Sequence, residues 1–169
     1  RCHCEESRPV SESKRILVVE DDDYYRNHLQ KMLNAEGFDV LAVATADEAT
    51  ASLRGGSFEV AILDWHLGND HTGTDVLREI AHTASSMPVI MISAYVNVSE
   101  IASAYKIGIV DYLRKPIQQD KLLALLRNVF SGTATQSNAP EAEIQIEKEL
   151  IGDSYAMQEV RKALRKFAP

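Results

Sequence analysis

Val60-Ala61-Ile62-Leu63-Asp64 is a run of four apolar residues that ends on a carboxylate. Four apolar residues in succession predict a strand covered on both faces, because a strand with one wet face alternates apolar and polar residues. Asp64 then falls where the strand leaves the sheet. An acid in that position usually opens a solvated loop, so a functional reading depends on what else the chain brings to the same end.

The pattern repeats on both sides of this stretch. Upstream, Ile16-Leu17-Val18-Val19 predicts a buried strand that ends on Glu20-Asp21-Asp22-Asp23. Tyr25, Leu29, Met32 and Leu33 then recur at helical spacing up to Gly37, a residue suited to a left-handed cap. Phe38 to Ala44 is short and alternating, a second strand. Thr45 or Asp47 caps a helix that runs to about Leu53 and is broken at Gly55-Gly56. The third strand takes in Phe58 to Asp64.

Downstream, the loop Trp65 to Thr72 is rich in Gly, Asn and Asp. A helix follows with Val76, Leu77 and Ile80 on one face, to about His82. Pro88 to Ser93 is a fourth strand, with Pro at its first residue, where a missing N–H does least harm. Val98, Ile101, Ala102 and Tyr105 mark a helix from Asn97 to Lys106, stopped by Gly108. Ile109 to Leu113 is a fifth strand leading into Arg114-Lys115-Pro116, and a last helix from about Gln118 to Phe130 presents Leu122, Leu125, Leu126 and Val129. Five strand–helix units in succession predict an α/β domain built on a parallel sheet.

Binding in such a sheet takes place at the carboxyl ends of the strands. Those ends carry Glu20-Asp21, Asp64, Ser93 and Lys115. Gathered carboxylates repel one another unless a cation lies among them, and oxygen donors of this kind suit a hard divalent ion, Mg²⁺ above all. A carboxylate beside a metal, an ammonium and a hydroxyl is equipped for phosphoryl transfer, with the acid as nucleophile. The plainer reading of Lys115 is a salt-bridge partner of the acids.

The 169 residues allow one full domain and an appendage. With 45% hydrophobic and 25% charged residues the composition is that of an ordinary soluble chain, and no apolar run is long enough to cross a bilayer. A net charge of −7 argues against a broad electrostatic grip on nucleic acid. Cys2 and Cys4 flank His3, but the spacing does not match a zinc site, and residues 1–13 read as a flexible leader. The lack of an apolar signal core ahead of the first strand makes a cytoplasmic location the expectation.

The residues Ile16-Leu-Val-Val-Glu-Asp-Asp, Ile62-Leu-Asp64, Met91-Ile-Ser93-Ala94 and Asp111-Tyr112-Leu113-Arg114-Lys115-Pro116 together resemble the receiver domain of two-component response regulators. The likeness covers about residues 14–131. It implies a doubly wound five-stranded parallel sheet, (βα)5 and flavodoxin-like, in the strand order 2-1-3-4-5. It also implies a role for each matched residue. Asp64 is then the phosphoacceptor, Asp21 a direct Mg²⁺ ligand and Glu20 a ligand acting through water, with the backbone carbonyl of His66 completing the set. Ser93 and Lys115 would contact the phosphoryl group, Tyr112 would change rotamer with Ser93, and the Lys115–Pro116 bond would be cis. The partner would be a sensor histidine kinase.

Two features depart from the family pattern. The loop after Asp64 is long, which places Gly73 nine residues beyond it, and Glu stands at position 20 where Asp is more usual.

Beyond the domain, Ser131 to Ala139 has linker composition, and residues 132–150 read as a linker or connector. Ile146 and Leu150 in that connector lie on one helical face, the basis for expecting a weak homodimer. Residues 151–169, with Met157, Val160, Leu164 and Phe167 at helical spacing, form a helical C-terminal extension. They are similar to the opening of the AAA+ domain of sigma-54-dependent activators. No phosphate-binding G-x-x-x-x-G-K-[ST] occurs in the chain, so ATP, sigma-54 RNA polymerase and DNA would be met by domains outside it. The alternatives are a stand-alone receiver, a receiver with another output, and an acid-cluster Mg²⁺ phosphohydrolase. The last lacks a recognisable second acid or base beside Asp64.

Overall fold

The computed structural model describes residues 14–68, 72–83, 86–95 and 98–132. The leader with Cys2 and Cys4, loop residues 69–71, the connector and the expected helical extension lie outside the described residues. Five strands alternate with five helices: β1 Arg15–Val19, α1 Asp23–Ala35, β2 Asp39–Val43, α2 Ala46–Gly55, β3 Val60–Asp64, α3 Gly73–Thr83, β4 Val89–Ser93, α4 Val98–Ile107, β5 Asp111–Arg114 and α5 Gln119–Phe130. All pairings are parallel, in the order β2-β1-β3-β4-β5. The doubly wound (βα)5, flavodoxin-like sheet expected from the sequence is the one observed.

Alternation along the strands divides the core in two. Leu17, Val19, Ala61, Leu63, Val89 and Met91 face α2, α3 and α4, packing with Ala49, Val76, Leu77, Ile80 and Ala104. Ile16, Val18, Val60, Ile62, Ile90 and Ile92 face α1 and α5, packing with Leu29, Leu33, Leu122, Leu123 and Leu126. Both faces of β1, β3 and β4 are covered, which is why those strands read as unbroken apolar runs. Each large side chain removed from water in this way contributes about 1.5–3 kcal/mol of transfer free energy.

The helix ends follow from local chemistry. Asp22 caps α1 by accepting from the Tyr25 N–H at 2.9 Å, and Thr45, of the two residues considered, caps α2 by accepting from the Glu48 N–H at 3.2 Å. Gly37 adopts φ 90° where the chain turns out of α1 into β2. β2 and β3 are shorter than their apolar patterns. β5 is displaced toward its C-terminus relative to the expected Ile109 to Leu113. The Ile109 N–H still belongs to the exit of α4, donating to the Ala104 carbonyl at 3.3 Å, so regular pairing opens only at Asp111.

Candidate functional site: a carboxylate cluster at the crest of the sheet

Strand alternation puts Glu20, Asp64 and Lys115 on the same side of the sheet. Glu20 is two residues beyond Val18, Asp64 two beyond Ile62 and Lys115 two beyond Leu113, and those three apolar residues all belong to the core shared with α1 and α5. The Val18–Ile62 pairing of neighbouring β1 and β3 brings the two acids together. Glu20 prolongs β1 by donating its N–H to the Val43 carbonyl at 3.1 Å. Lys115 arrives from β5, fixed by a 2.7 Å bond from its N–H to the Ser93 carbonyl.

The long lysine side chain spans the remaining gap. Its Nζ lies 2.7 Å from each Glu20 oxygen and 2.8 Å from Asp64 Oδ2. Glu20 is fully buried and Asp64 5% exposed, so this is a desolvated ion triad rather than a surface pair. Asp21, next along the chain, is exposed; one oxygen from each of Glu20, Asp21 and Asp64 lies within 4.8 Å of the others.

Two carboxylates and one ammonium leave the buried triad a net negative charge. Burial, reinforced by the charge of Asp64, pushes the Glu20 carboxyl up to about 7 from an ordinary 4.5 although Lys115 opposes the shift. Glu20 Oε2 is enclosed and makes no well-directed hydrogen bond. Burial works against the Lys115 ammonium, but the hydrogen bonds from it to Asp64 and Glu20 outweigh that cost and hold its pKa above the usual lysine value. A raised, buried acid beside two further carboxylates, their oxygens within 4.8 Å of one another, is the donor chemistry of a site for a hard cation.

The hydroxyl of Ser93, 1% exposed, is turned to its own loop, donating to the Tyr95 carbonyl at 2.8 Å and accepting from the Tyr95 N–H at 3.2 Å. His66 donates its N–H to Asp64 Oδ1 at 3.3 Å, and its ring, exposed, meets the Tyr95 ring edge-on. Tyr112 is half-buried on β5 and packs against the core beneath α2, α3 and α4. The Lys115–Pro116 bond is cis.

Three residues take part that the sequence did not single out for this site. Arg26 on α1 donates to the carbonyls of Glu20 at 2.9 Å and Asp21 at 3.1 Å and pairs with Asp23, tying down the acidic turn. Gly68, at φ 63°, lies against Asp21, with space for a Cβ only 3.3 Å from its Oδ2. Tyr25 lays its ring against the Lys115 ammonium. A cation within one helical turn of an acid run was a visible hint for Arg26. Nothing local marked the other two.

The fold and the crest define the class: an open parallel α/β domain that presents an acid cluster and a lysine at the carboxyl end of its sheet. The chain belongs to the response regulator receiver domain family, whose model matches residues 16–127. It is 29% identical to an NtrX-like response regulator of Rickettsia bellii over 156 residues, 90% of this chain and 33% of that protein. It is 29% identical to the transcriptional regulatory protein ZraR of Escherichia coli K12 over 154 residues, 91% of this chain and 35% of that protein. The chain thus spans about a third of the length of these curated relatives.

Among solved structures, it resembles a CheY-like receiver domain protein from Methanospirillum hungatei (TM-score 0.66, 29% identity, 69% of this chain and 92% of that one). A receiver domain protein from Clostridium thermocellum gives a TM-score of 0.67 at 26% identity over 71% of this chain and 96% of that one. No helix among the described residues is long and apolar enough to cross a membrane.

Proposed function

We propose that Asp64 accepts a phosphoryl group from a sensor histidine kinase, with Mg²⁺ bound beside it, and that the receiver thereby controls a sigma-54-dependent transcriptional activator. The observation that carries the reading is the triad itself, a nearly buried carboxylate held at 2.8 Å by an ammonium in an acid cluster. Asp21, the more exposed acid, would hold the cation directly with Asp64 and the His66 backbone carbonyl. Glu20, enclosed behind Lys115, would act on it through water. When bound, the ion neutralises charge on the transferred group and on the acids.

An Asp64 oxygen attacks phosphorus in line, forming the acyl phosphate as the bond to the donor nitrogen breaks. Lys115 then follows the new charge from the Asp64 carboxylate to a phosphoryl oxygen. Ser93 releases its bonds at Tyr95 to donate to another, and Tyr112 reorients into the space left. Control of a sigma-54 activator is supported by the likeness of residues 151–169 to the opening of its AAA+ domain and by the extent of the match to ZraR. ATP, RNA polymerase and DNA would be engaged by domains beyond this chain, and the connector would favour a homodimer. A cytoplasmic location accords with a kinase partner.

Incubation with Mg²⁺ and a small phosphodonor, followed by peptide mass spectrometry, tests the assignment. A phosphoryl group on Asp64 alone is expected; modification elsewhere with Asp64 unlabelled overturns it.

The raised Glu20 pKa sets a further expectation. The folded state holds a proton between pH 4.5 and about 7 that the unfolded chain releases, so this stabilisation is present below pH 4.5 and disappears as pH rises through about 7. Metal-free protein should therefore lose on the order of 3 kcal/mol from this group across that window. Saturating Mg²⁺ should flatten the profile by stabilising the ionised acids. Urea titrations at a series of pH values, with and without Mg²⁺, provide the check; a slope of the opposite sign without metal refutes the account of Glu20.

A further inference from the structure

The face of the Tyr25 ring lies 4.6 Å from the Lys115 Nζ, well inside the range for a cation–π contact. Two features fix the ring there. Its backbone N–H is the one that Asp22 caps at the start of α1, and Tyr24 stands edge-on to it at 5.8 Å on the solvent side. The Lys115 side chain is only 9% exposed, so the contact is made largely out of water, where the attraction is greater than at an open surface.

An ammonium has three donors. Here they serve a site with carboxylates of Glu20 and Asp64 at 2.7 and 2.8 Å and an aromatic ring centred 4.6 Å away. We propose that Tyr25 is a positioning residue: its π face holds the Lys115 ammonium over the crest and keeps it poised when its carboxylate partner on Asp64 becomes an acyl phosphate. The inference rests on the reading of Asp64 as phosphoacceptor.

The physical reason is that Lys115 must exchange one oxygen partner for another during transfer. A hydrogen-bonding partner in the place of Tyr25 would compete for the ammonium and hold it in one pose. A ring face attracts the charge without a preferred direction, so the ammonium can move by a fraction of an ångström at little cost. A flexible aliphatic side chain would let water reach the ammonium and weaken its pull on the developing phosphoryl charge.

The test uses the whole chain with Mg²⁺ and phosphoramidate, following the rate of Asp64 phosphorylation at saturating donor. Tyr25→Leu should lower that rate about five-fold, in keeping with loss of a partly desolvated cation–π contact. Tyr25→Phe, which keeps the face, should restore most of the loss. Replacing Tyr25 with phenylalanines carrying three and five ring fluorines, nearly the same shape but with a progressively less negative face, should lower the rate stepwise toward that of Tyr25→Leu. A merely structural ring would not respond to fluorination in this way.

The Lys115 ε-methylene proton signals should be shifted upfield by the ring in the wild-type protein and in Tyr25→Phe, and lose that shift in Tyr25→Leu. Normal Asp64 labelling with rates indifferent to fluorination, or a Lys115 signal indifferent to Tyr25→Leu, overturns the positioning role alone. Absence of Asp64 labelling in the wild-type protein overturns the phosphoacceptor reading and this role with it.

Discussion

Asp64→Asn should abolish phosphoryl labelling while leaving the fold intact. The amide matches the carboxylate in size, so β3 and the core around Ile62 have no reason to repack, but an amide oxygen is too weak a nucleophile to form the acyl phosphate. The stability consequence is unusual for a change within a buried ion cluster. Removing one partner of an isolated buried pair leaves the other charge stranded and typically costs about 3–5 kcal/mol. Here the Lys115 ammonium keeps Glu20 at 2.7 Å, and the amide oxygen turned to it still accepts, at the cost of the long 3.3 Å bond from the His66 N–H to the other oxygen.

The repulsion between the two acids is relieved as well. Asp64 is one of the causes that raise Glu20, so its neutralisation should bring the Glu20 pKa down from about 7. A loss of stability below about 1 kcal/mol is therefore expected, with a shallower dependence on pH between 4.5 and 7. Mass spectrometry after phosphodonor treatment reads the first effect and urea titration the second. Labelling of the variant at the wild-type rate would remove Asp64 from the chemistry.

Gly73→Ala should be the most damaging single methyl addition near the site. A Cβ at this position would lie 2.1 Å from the Asp64 carbonyl oxygen and 3.0 Å from the Met91 Cε. The methionine end can move; the strand carbonyl cannot without shifting the phosphoacceptor. Gly73 also donates its N–H to the Trp65 carbonyl at 2.9 Å, so the first turn of α3 is bound to the chain just after β3 and has no freedom to back away. Overpacking against backbone of this kind costs about 3 kcal/mol. A lower midpoint of urea unfolding with an unchanged m-value is expected, together with slower labelling of Asp64. A variant within 0.5 kcal/mol of the wild type would show that α3 does not approach β3 as closely as the structure places it.

This contact also accounts for the glycine that closes the loop after Asp64. The long loop Trp65 to Thr72 still has to deliver a glycine to the point where α3 meets the end of β3, because the helix begins against the Asp64 carbonyl.

The sequence by itself determined the class of fold and the strand ends. Runs such as Val60 to Leu63 and Val89 to Ile92 are apolar on both parities only because helices cover both faces, so two-sided burial was written in their composition. It also located Glu20, Asp21, Asp64, Ser93 and Lys115 at the crest, since a polar residue that ends such a run has to lie at the edge of the sheet. Boundaries were less legible where helix and strand share residues, as at Ile109, whose apolar side chain suits either.

Tertiary structure alone decided which of those groups meet. Lys115 is 95 residues from Glu20 and 51 from Asp64, and its choice of both, in a triad where burial and then the charge of Asp64 lift Glu20, depends on the parallel register of β1, β3, β4 and β5. The Tyr25 face on Lys115 and the contact of Gly73 with Asp64 depend on where α1 and α3 dock. Periodicity records which side of an element is buried; it carries no record of the atoms that side will touch, because those are set by packing between segments distant in the chain.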